Sequence, residues 1–189
     1  MRVKPLAVLL CSSVLLSVGI SGCTAWTKGP HSPAAEDVTE QTSRESYDEF
    51  VAQMDEILAV TGEPTGWTTE FGRPWPLEPG NVLTPDACDP ENWRTSPYQI
   101  SLQVLGPGTD DLQADRDAMI RYMEDQGMQI SGVFGDPSYP EGVAWTVFGR
   151  AADGRTIHYG TGTERRSVIL HGECSSHPSM RDGVSQEAP

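Results

Sequence analysis

Hydrophobic positions change their spacing several times along the chain, and each change marks an element. Pro5 to Ile20 is an apolar run without a charge, preceded by Arg2 and Lys4. Further on, Tyr47, Phe50, Val51, Met54, Ile57 and Leu58 fall at helical spacing, which predicts a helix from about Arg44 to Val60. Thr42 with Glu45 fits a capping box, and Gly62 followed by Pro64 fits a stop. Asp48, Glu49, Asp55 and Glu56 lie on the opposite, solvated face.

The clearest strand is Tyr98 to Leu105, where Tyr98, Ile100, Leu102 and Val104 alternate with Gln99, Ser101 and Gln103. Gly106-Pro107-Gly108 is expected to break it. Thr109 then caps a second helix to about Gln126, with Asp110 and Asp111 against its N-terminal dipole and Gly127 at its end. Leu112, Met119, Ile120 and Met123 form its apolar face. Met128 to Phe134 reads as a strand. Val143 to Arg150 and Arg155 to Gly160 read as a hairpin turning at Asp153-Gly154, and Ser167 to Glu173 as the last strand. This order predicts an α+β fold: an antiparallel β-sheet of four to five strands, two helices packed on one face, and one disulfide.

Between these elements, residues 64–97 change character. Prolines stand at 64, 74, 76, 79, 85, 90 and 97, and Trp67, Trp75 and Trp93 fall in the same stretch. Trp67 to Phe71 can make a short strand, and the rest reads as a long structured loop, a feature often functional or specially tied down.

The apolar run at the N-terminus is too short for a spanning helix, for which about 20 residues are needed, and has the three-part shape of a secretory signal. It ends in Ile20-Ser21-Gly22-Cys23, the pattern of a bacterial lipobox, with Cys23 at the apolar-to-polar junction. An ordinary secretory signal with a chance cysteine is the alternative. The expected organisation is a lipoprotein signal peptide over 1–22, a disordered tether over 23–42, the α+β domain over 43–174 and a polar disordered tail over 175–189. Cys23 would carry a diacylglyceryl group, with palmitate as an acyl chain. Two chains suffice for stable anchoring in the lipid bilayer, on the extracytoplasmic face of the cell membrane.

Charge sharpens this reading. The chain of 189 residues carries 13 basic and 27 acidic residues, a formal charge of −14. Losing Arg2 and Lys4 with the signal leaves 11 basic residues and −16. That balance argues against nucleic acid and against docking on an anionic bilayer by charge. Lys4 and Lys28 are the only lysines, so Schiff-base and Ser–Lys chemistry is excluded beyond Lys28.

Cys88 and Cys174 remain besides Cys23. Outside the membrane they are expected to form one disulfide tying the Trp/Pro-rich loop to the end of the last strand. Two alternatives stay open. His171, Cys174 and His177, with Cys88, have the residue types of a zinc site but lack a Cys-x-x-Cys pair. A Cys–His catalytic pair would need a thiolate and an oriented base.

With the lipobox at Ile20 to Cys23, the amphipathic helix near the tether, Cys88 ahead of the Tyr98 strand, the strand–helix–strand order and Gly172-Glu173-Cys174 at the end of the final strand, the chain resembles the actinobacterial LppA-like lipoproteins. The resemblance covers most of the mature chain. It implies an α+β lipoprotein domain with a disulfide and no stated activity.

No nucleophile elbow, Ser-x-x-Lys, phosphate-binding loop or His-Glu-x-x-His is present, and Asp115, Asp117, Glu124 and Asp125 lack the glycine and terminal Glu of a Ca²⁺ loop. No cofactor, metal or catalytic residue is expected. The leading expectation is therefore a non-catalytic binding or structural module of the cell envelope, with an envelope protein as its possible partner. Trp67, Phe71, Trp75 and Trp93 are the candidate contact surface, their alternative role being to cover an open face of the sheet. The competing expectation is an envelope enzyme or small-ligand-binding protein. Its pocket would lie between sheet and loop, with Arg73, Arg94, Glu70 or His158 converging on it.

Overall fold

The computed structural model describes residues 38–135 and 143–185. Cys23 and the signal segment lie outside the described residues. The framework is a sheet whose neighbours are all antiparallel. Its strands, in spatial order, are β2 (Thr68–Thr69), β6 (Ser101–Pro107), β10 (Arg165–His171), β9 (Thr156–Gly162), β8 (Val143–Arg150) and β7 (Gln129–Gly135). A smaller sheet runs β1 (Val38–Thr39), β11 (Cys174–Ser175), β5 (Tyr98–Gln99) and β4 (Asp86–Ala87), and β3 (Val82–Leu83) pairs with β12 (Val184–Ser185). The α+β class expected from sequence is the observed one; the main sheet has six strands rather than four or five.

Helix α1 (Ser43–Val60) starts at the expected capping box. Thr42 Oγ1 accepts from the Glu45 amide at 3.3 Å, and Glu45 Oε2 accepts from the Thr42 amide at 2.9 Å. Tyr47, Phe50, Met54, Ile57 and Leu58 are buried, and the chain leaves the helix through Gly62 at φ +72°. Helix α2 (Leu112–Asp125) is capped by Asp111 rather than Thr109. Asp111 Oδ1 accepts from the Ala114 amide at 2.9 Å, while the Thr109 amide is occupied by Gly162 O at 3.0 Å.

Gly106 and Pro107 do not break β6; they pair with Arg166 and Arg165. The glycine serves packing. A Cβ on Gly106 would stand 2.3 Å from the Trp67 indole, so its absence lets that ring lie directly on the strand.

Alternation along β10 divides the sheet into two faces. Arg166, Val168 and Leu170 are buried on the helix side; Ser167, Ile169 and His171 face the other way. Arg166, 2% exposed, holds the helix side together. Its Nη1 donates to Asp115 Oδ1 of α2 at 3.0 Å and to Thr61 O at the end of α1 at 2.9 Å, and its Nε donates to Pro107 O at 2.6 Å. Tyr159 Oη of β9 donates to the second Asp115 oxygen at 2.5 Å. Burial, then this bond and the carboxylate charge, push the Tyr159 phenol well above its usual range.

Cys88 and Cys174 form the expected disulfide, with their Cα atoms 6.2 Å apart and 86 residues of separation. On the chain-entropy model such a loop is worth about 4 to 5 kcal/mol. The ordered unit extends past both ends of the 43–174 span expected from sequence. Val38–Thr39 pairs in parallel with Cys174–Ser175, Ser175 Oγ donates to Gln41 O at 2.6 Å, and the Ser43 amide donates to Ser179 Oγ at 2.9 Å. Met180 and Val184 anchor the tail in the core. The polar composition of these segments concealed the main-chain pairing of Val38–Thr39 with Cys174–Ser175.

Arg155 joins three carboxylates at the other end of the helix side. It binds Asp153 at 2.7 Å and lies 3.7 Å from Glu49 and 3.8 Å from Glu173. Burial, then the charges of Glu49 and Asp153, lift the Glu173 carboxyl above its ordinary 4.5. The folded chain therefore holds that proton to higher pH than the unfolded chain, and stability falls as pH rises through the window above 4.5. Asp153 has the opposite sign: burial opposes its ionisation, but the Arg155 bonds outweigh it and hold the carboxyl below 3.8. Its contribution is complete above 3.8 and is lost as pH falls further.

Two outcomes are expected. Asp115→Ala leaves the Arg166 charge buried without its carboxylate and should cost about 3 to 5 kcal/mol in chemical denaturation, while an Asp115→Leu, Arg166→Met double variant should recover most of that loss. Glu173→Gln should remove the fall in stability above 4.5, so denaturant midpoints of variant and native chain should diverge in the variant's favour between about pH 4 and about pH 7.

Candidate functional site: a groove between the sheet and the proline-rich loop

The face of the sheet away from the helices carries the polar positions of β6 and the alternate positions of β10 and β9. Residues 64–97 fold along one margin of this face. Two tryptophans pin that loop to the core. Trp67, 1% exposed, donates from Nε1 to Glu63 O at 2.6 Å and lies with its ring 5.7 Å from the Arg166 guanidinium. Trp75, 6% exposed, donates to Asp55 Oδ1 of α1 at 2.8 Å. Burying both ring systems is worth several kcal/mol, and each indole N–H has its acceptor.

The other two aromatics of the stretch point outward. Phe71 stands at the tip of a tight turn closed by Thr69 N–H to Arg73 O at 2.7 Å and Gly72 N–H to Thr69 O at 2.8 Å, with Gly72 at φ +76°. It is 77% exposed. Trp93 follows a short 3₁₀ turn, Pro90–Asn92, capped by Asp89. The hydrogen bond that Asn92 Nδ2 donates to Asp89 Oδ2 at 2.8 Å holds the Asp89 carboxyl below the ordinary range. Trp93 is 55% exposed, while its carbonyl accepts from Tyr98 Oη at 3.0 Å and the turn is fixed by the neighbouring Cys88 bridge. The four rings expected to share one contact surface thus divide: Trp67 and Trp75 are core, because their positions face α1 and β6, and Phe71 and Trp93 remain available.

Both exposed rings border hollows in the surface. One, of about 590 Å³, lies between β6 and the loop, with Glu70, Phe71, Arg73, Asp86, Ser101 and Gln103 among its lining. A second, of about 380 Å³, is bordered by Trp93, Pro90, Gln99 and His171. They share Asp86 and Ser101, whose side chains are hydrogen bonded to each other, so the two hollows adjoin at that pair and together make a groove in two parts, one bordered by Phe71 and the other by Trp93. Arg73 Nη1 donates to Asn81 Oδ1 at 2.9 Å, which sets the guanidinium along the wall. Of the polar groups expected to converge on a pocket, Glu70 and Arg73 do so. Arg94 instead lies 5.0 Å over the Trp93 ring, and His158 lies on the sheet face.

From the Trp93 end, a row of rings continues across the open face. His171 of β10, His158 of β9 and Phe148 of β8 follow one another with centroids 5.6 and 4.6 Å apart, and Phe134 of β7 lies 5.7 Å beyond Phe148. The spacing reflects the distance between neighbouring strands. Gly132 makes room for the last ring, since a Cβ there would meet Phe134 at 2.4 Å. Sequence reasoning missed this row, together with Asp86 and the floor made by Ser101 and Gln103. The usable signal was the polar alternation of the Tyr98 strand; nothing local joins positions 134, 148, 158 and 171.

Cys174 is committed to its disulfide, and among the described residues no group of three or more His, Cys, Asp or Glu side chains is placed to hold a metal. No helix of the described residues is long and apolar enough to cross a membrane.

If Phe71 and Trp93 are held out by the loop rather than used as core, Phe71→Ala and Trp93→Ala should each shift stability by no more than about 0.5 kcal/mol. Trp67→Ala should cost about 3 to 5 kcal/mol. Urea denaturation of the three variants measures the contrast.

No family model and no curated protein matches this chain. Among solved structures it is similar to a DUF4853 family protein from Actinomyces odontolyticus ATCC 17982, with 12% identity, 74% of this chain and 75% of that chain covered, and a TM-score of 0.41.

Proposed function

We propose that the chain is a lipid-anchored, extracytoplasmic binding module of the cell envelope that performs no catalysis, with the groove as its ligand seat. The groove carries the reading. A loop fixed by two buried indoles and a disulfide holds two rings in solvent, one bordering each part of a groove with a polar floor. Leaving such rings exposed sacrifices their burial energy, which a contact elsewhere offsets.

The anchoring half rests on the lipobox pattern at Ile20 to Cys23 and on an acidic chain with no basic patch to hold a bilayer. The LppA-like resemblance, with its actinobacterial lipoprotein character, belongs to the same proposal. A small-ligand seat between sheet and loop is supported by the larger hollow, which lies in that position. An enzyme reading finds less support: Ser101 donates to Asp86 in the groove, but no third side chain among the described lining is hydrogen bonded to that pair to orient it as a base does in a triad.

Two measurements test the two halves. Growth with labelled palmitate should label the native chain and not Cys23→Ala; a native chain that takes up no label would contradict lipid anchoring. Affinity capture from envelope extract with the full chain should recover a ligand that a Phe71→Ala, Trp93→Ala double variant loses. Equal recovery by both would contradict the groove as the seat.

A further inference from the structure

We infer that the groove takes a neutral oligosaccharide, an inference that rests on the binding reading above and names its ligand class. The lining asks for a molecule with apolar faces and many hydroxyls together. Phe71 and Trp93 offer exposed rings, against which the C–H face of a sugar ring packs. Between them, Ser101 supplies a hydroxyl, Gln103 a carboxamide and Asp86 a carboxylate. Ser101 and Asp86 are in hydrogen-bond contact and Gln103 follows on the same face of β6, so donors and acceptors stand side by side, the pattern that adjacent sugar hydroxyls satisfy.

Charge excludes the anionic classes. Glu70 and Asp86 stand against Arg73, which is already hydrogen bonded to Asn81, and the whole chain has a formal charge of −14. A phosphate or uronate would enter against this field.

An extended peptide fits less well, for two reasons. Adding a strand needs free main-chain groups along the groove. At this margin Gln103 O accepts from the Glu70 amide at 3.1 Å, and Asp86–Ala87 is paired with Tyr98–Gln99. The rings beyond the groove are also spaced by 4.6 to 5.7 Å. An extended peptide presents same-side residues about every 6.7 Å and runs out of step with them. A glycan repeats by single rings, and the row from His171 to Phe134, whose rings meet edge to face, extends the aromatic surface beyond the groove for a longer chain.

The test is titration of the full chain, held in a detergent without a sugar head group, by calorimetry. The neutral ligands are cellotetraose, chitotetraose and mannotetraose, and tetragalacturonate is the anionic control. At least one neutral tetraose should bind. Trp93→Ala and Phe71→Ala should each weaken that binding by roughly tenfold, as loss of an aromatic anchor does. Tetragalacturonate should bind more weakly than the best neutral tetraose.

Absence of binding by every neutral tetraose at about 10 mM overturns the inference, because Kd then lies beyond any useful range. Binding unchanged in both variants, or stronger binding of the uronate, also overturns it. Selection of a displayed dodecapeptide library on the native chain and on the Phe71→Ala, Trp93→Ala double variant separates this failure from failure of the groove itself. Peptides lost on the double variant keep the groove and remove the sugar; peptides and sugars both indifferent to the double variant remove the two together.

Discussion

The arrangement of the whole molecule depends on one buried ion pair. Arg166 sits on the helix side of a central strand, where a charge has no water, and its cost is met by Asp115, by the Thr61 and Pro107 carbonyls and by the nearby Trp67 ring. Its second terminal nitrogen has no hydrogen-bond partner among the described residues. A hydrophobic residue of similar volume could match the pair in stability. What the charge adds is direction: it requires the start of α2, the end of α1 and the end of β6 to meet at one point. Both helices are thereby committed to one face of the sheet, and the other face is left to the loop, the groove and solvent.

The same centre positions the loop. Trp67 packs between the Arg166 guanidinium and the bare Cα of Gly106, and its carbonyl accepts from the Trp75 amide at 2.9 Å. Trp75 then reaches α1 through Asp55. Farther along, the Cys88–Cys174 bridge joins the loop to β11, which itself pairs with both β1 and β5. A loop rich in proline and fixed at several points has little conformational freedom left, so Phe71 and Trp93 are held in place by the fold itself.

The parts of this structure that were legible in the sequence are those set by local rules. The α1 stripe, its capping box, the Gly62 and Gly127 exits and the Asp153-Gly154 turn each follow from residues within a few positions of one another. Arg166 could not be read this way. Its partners lie 51, 59 and 105 residues away, and an arginine next to Arg165 in a strand looks like a surface residue. The fate of the tryptophans was equally hidden, because composition marks a ring as valuable without saying which side of the loop faces α1. Residues 175–185 read as a loose tail because pairing with the segment ahead of α1, through Val38 and Gln41, supplies the order that Met180 and Val184 alone do not announce.

Hydrogen exchange of the full chain in the presence of cell-envelope extract, compared with the purified chain, bears most directly on the groove as the working surface. The expected result is added protection in residues 69–73, 84–93 and 101–103, which border the groove, with the outer surfaces of α1 and α2 unchanged. Protection gathered on the helices, with the groove segments exchanging as they do in the purified chain, would contradict the account.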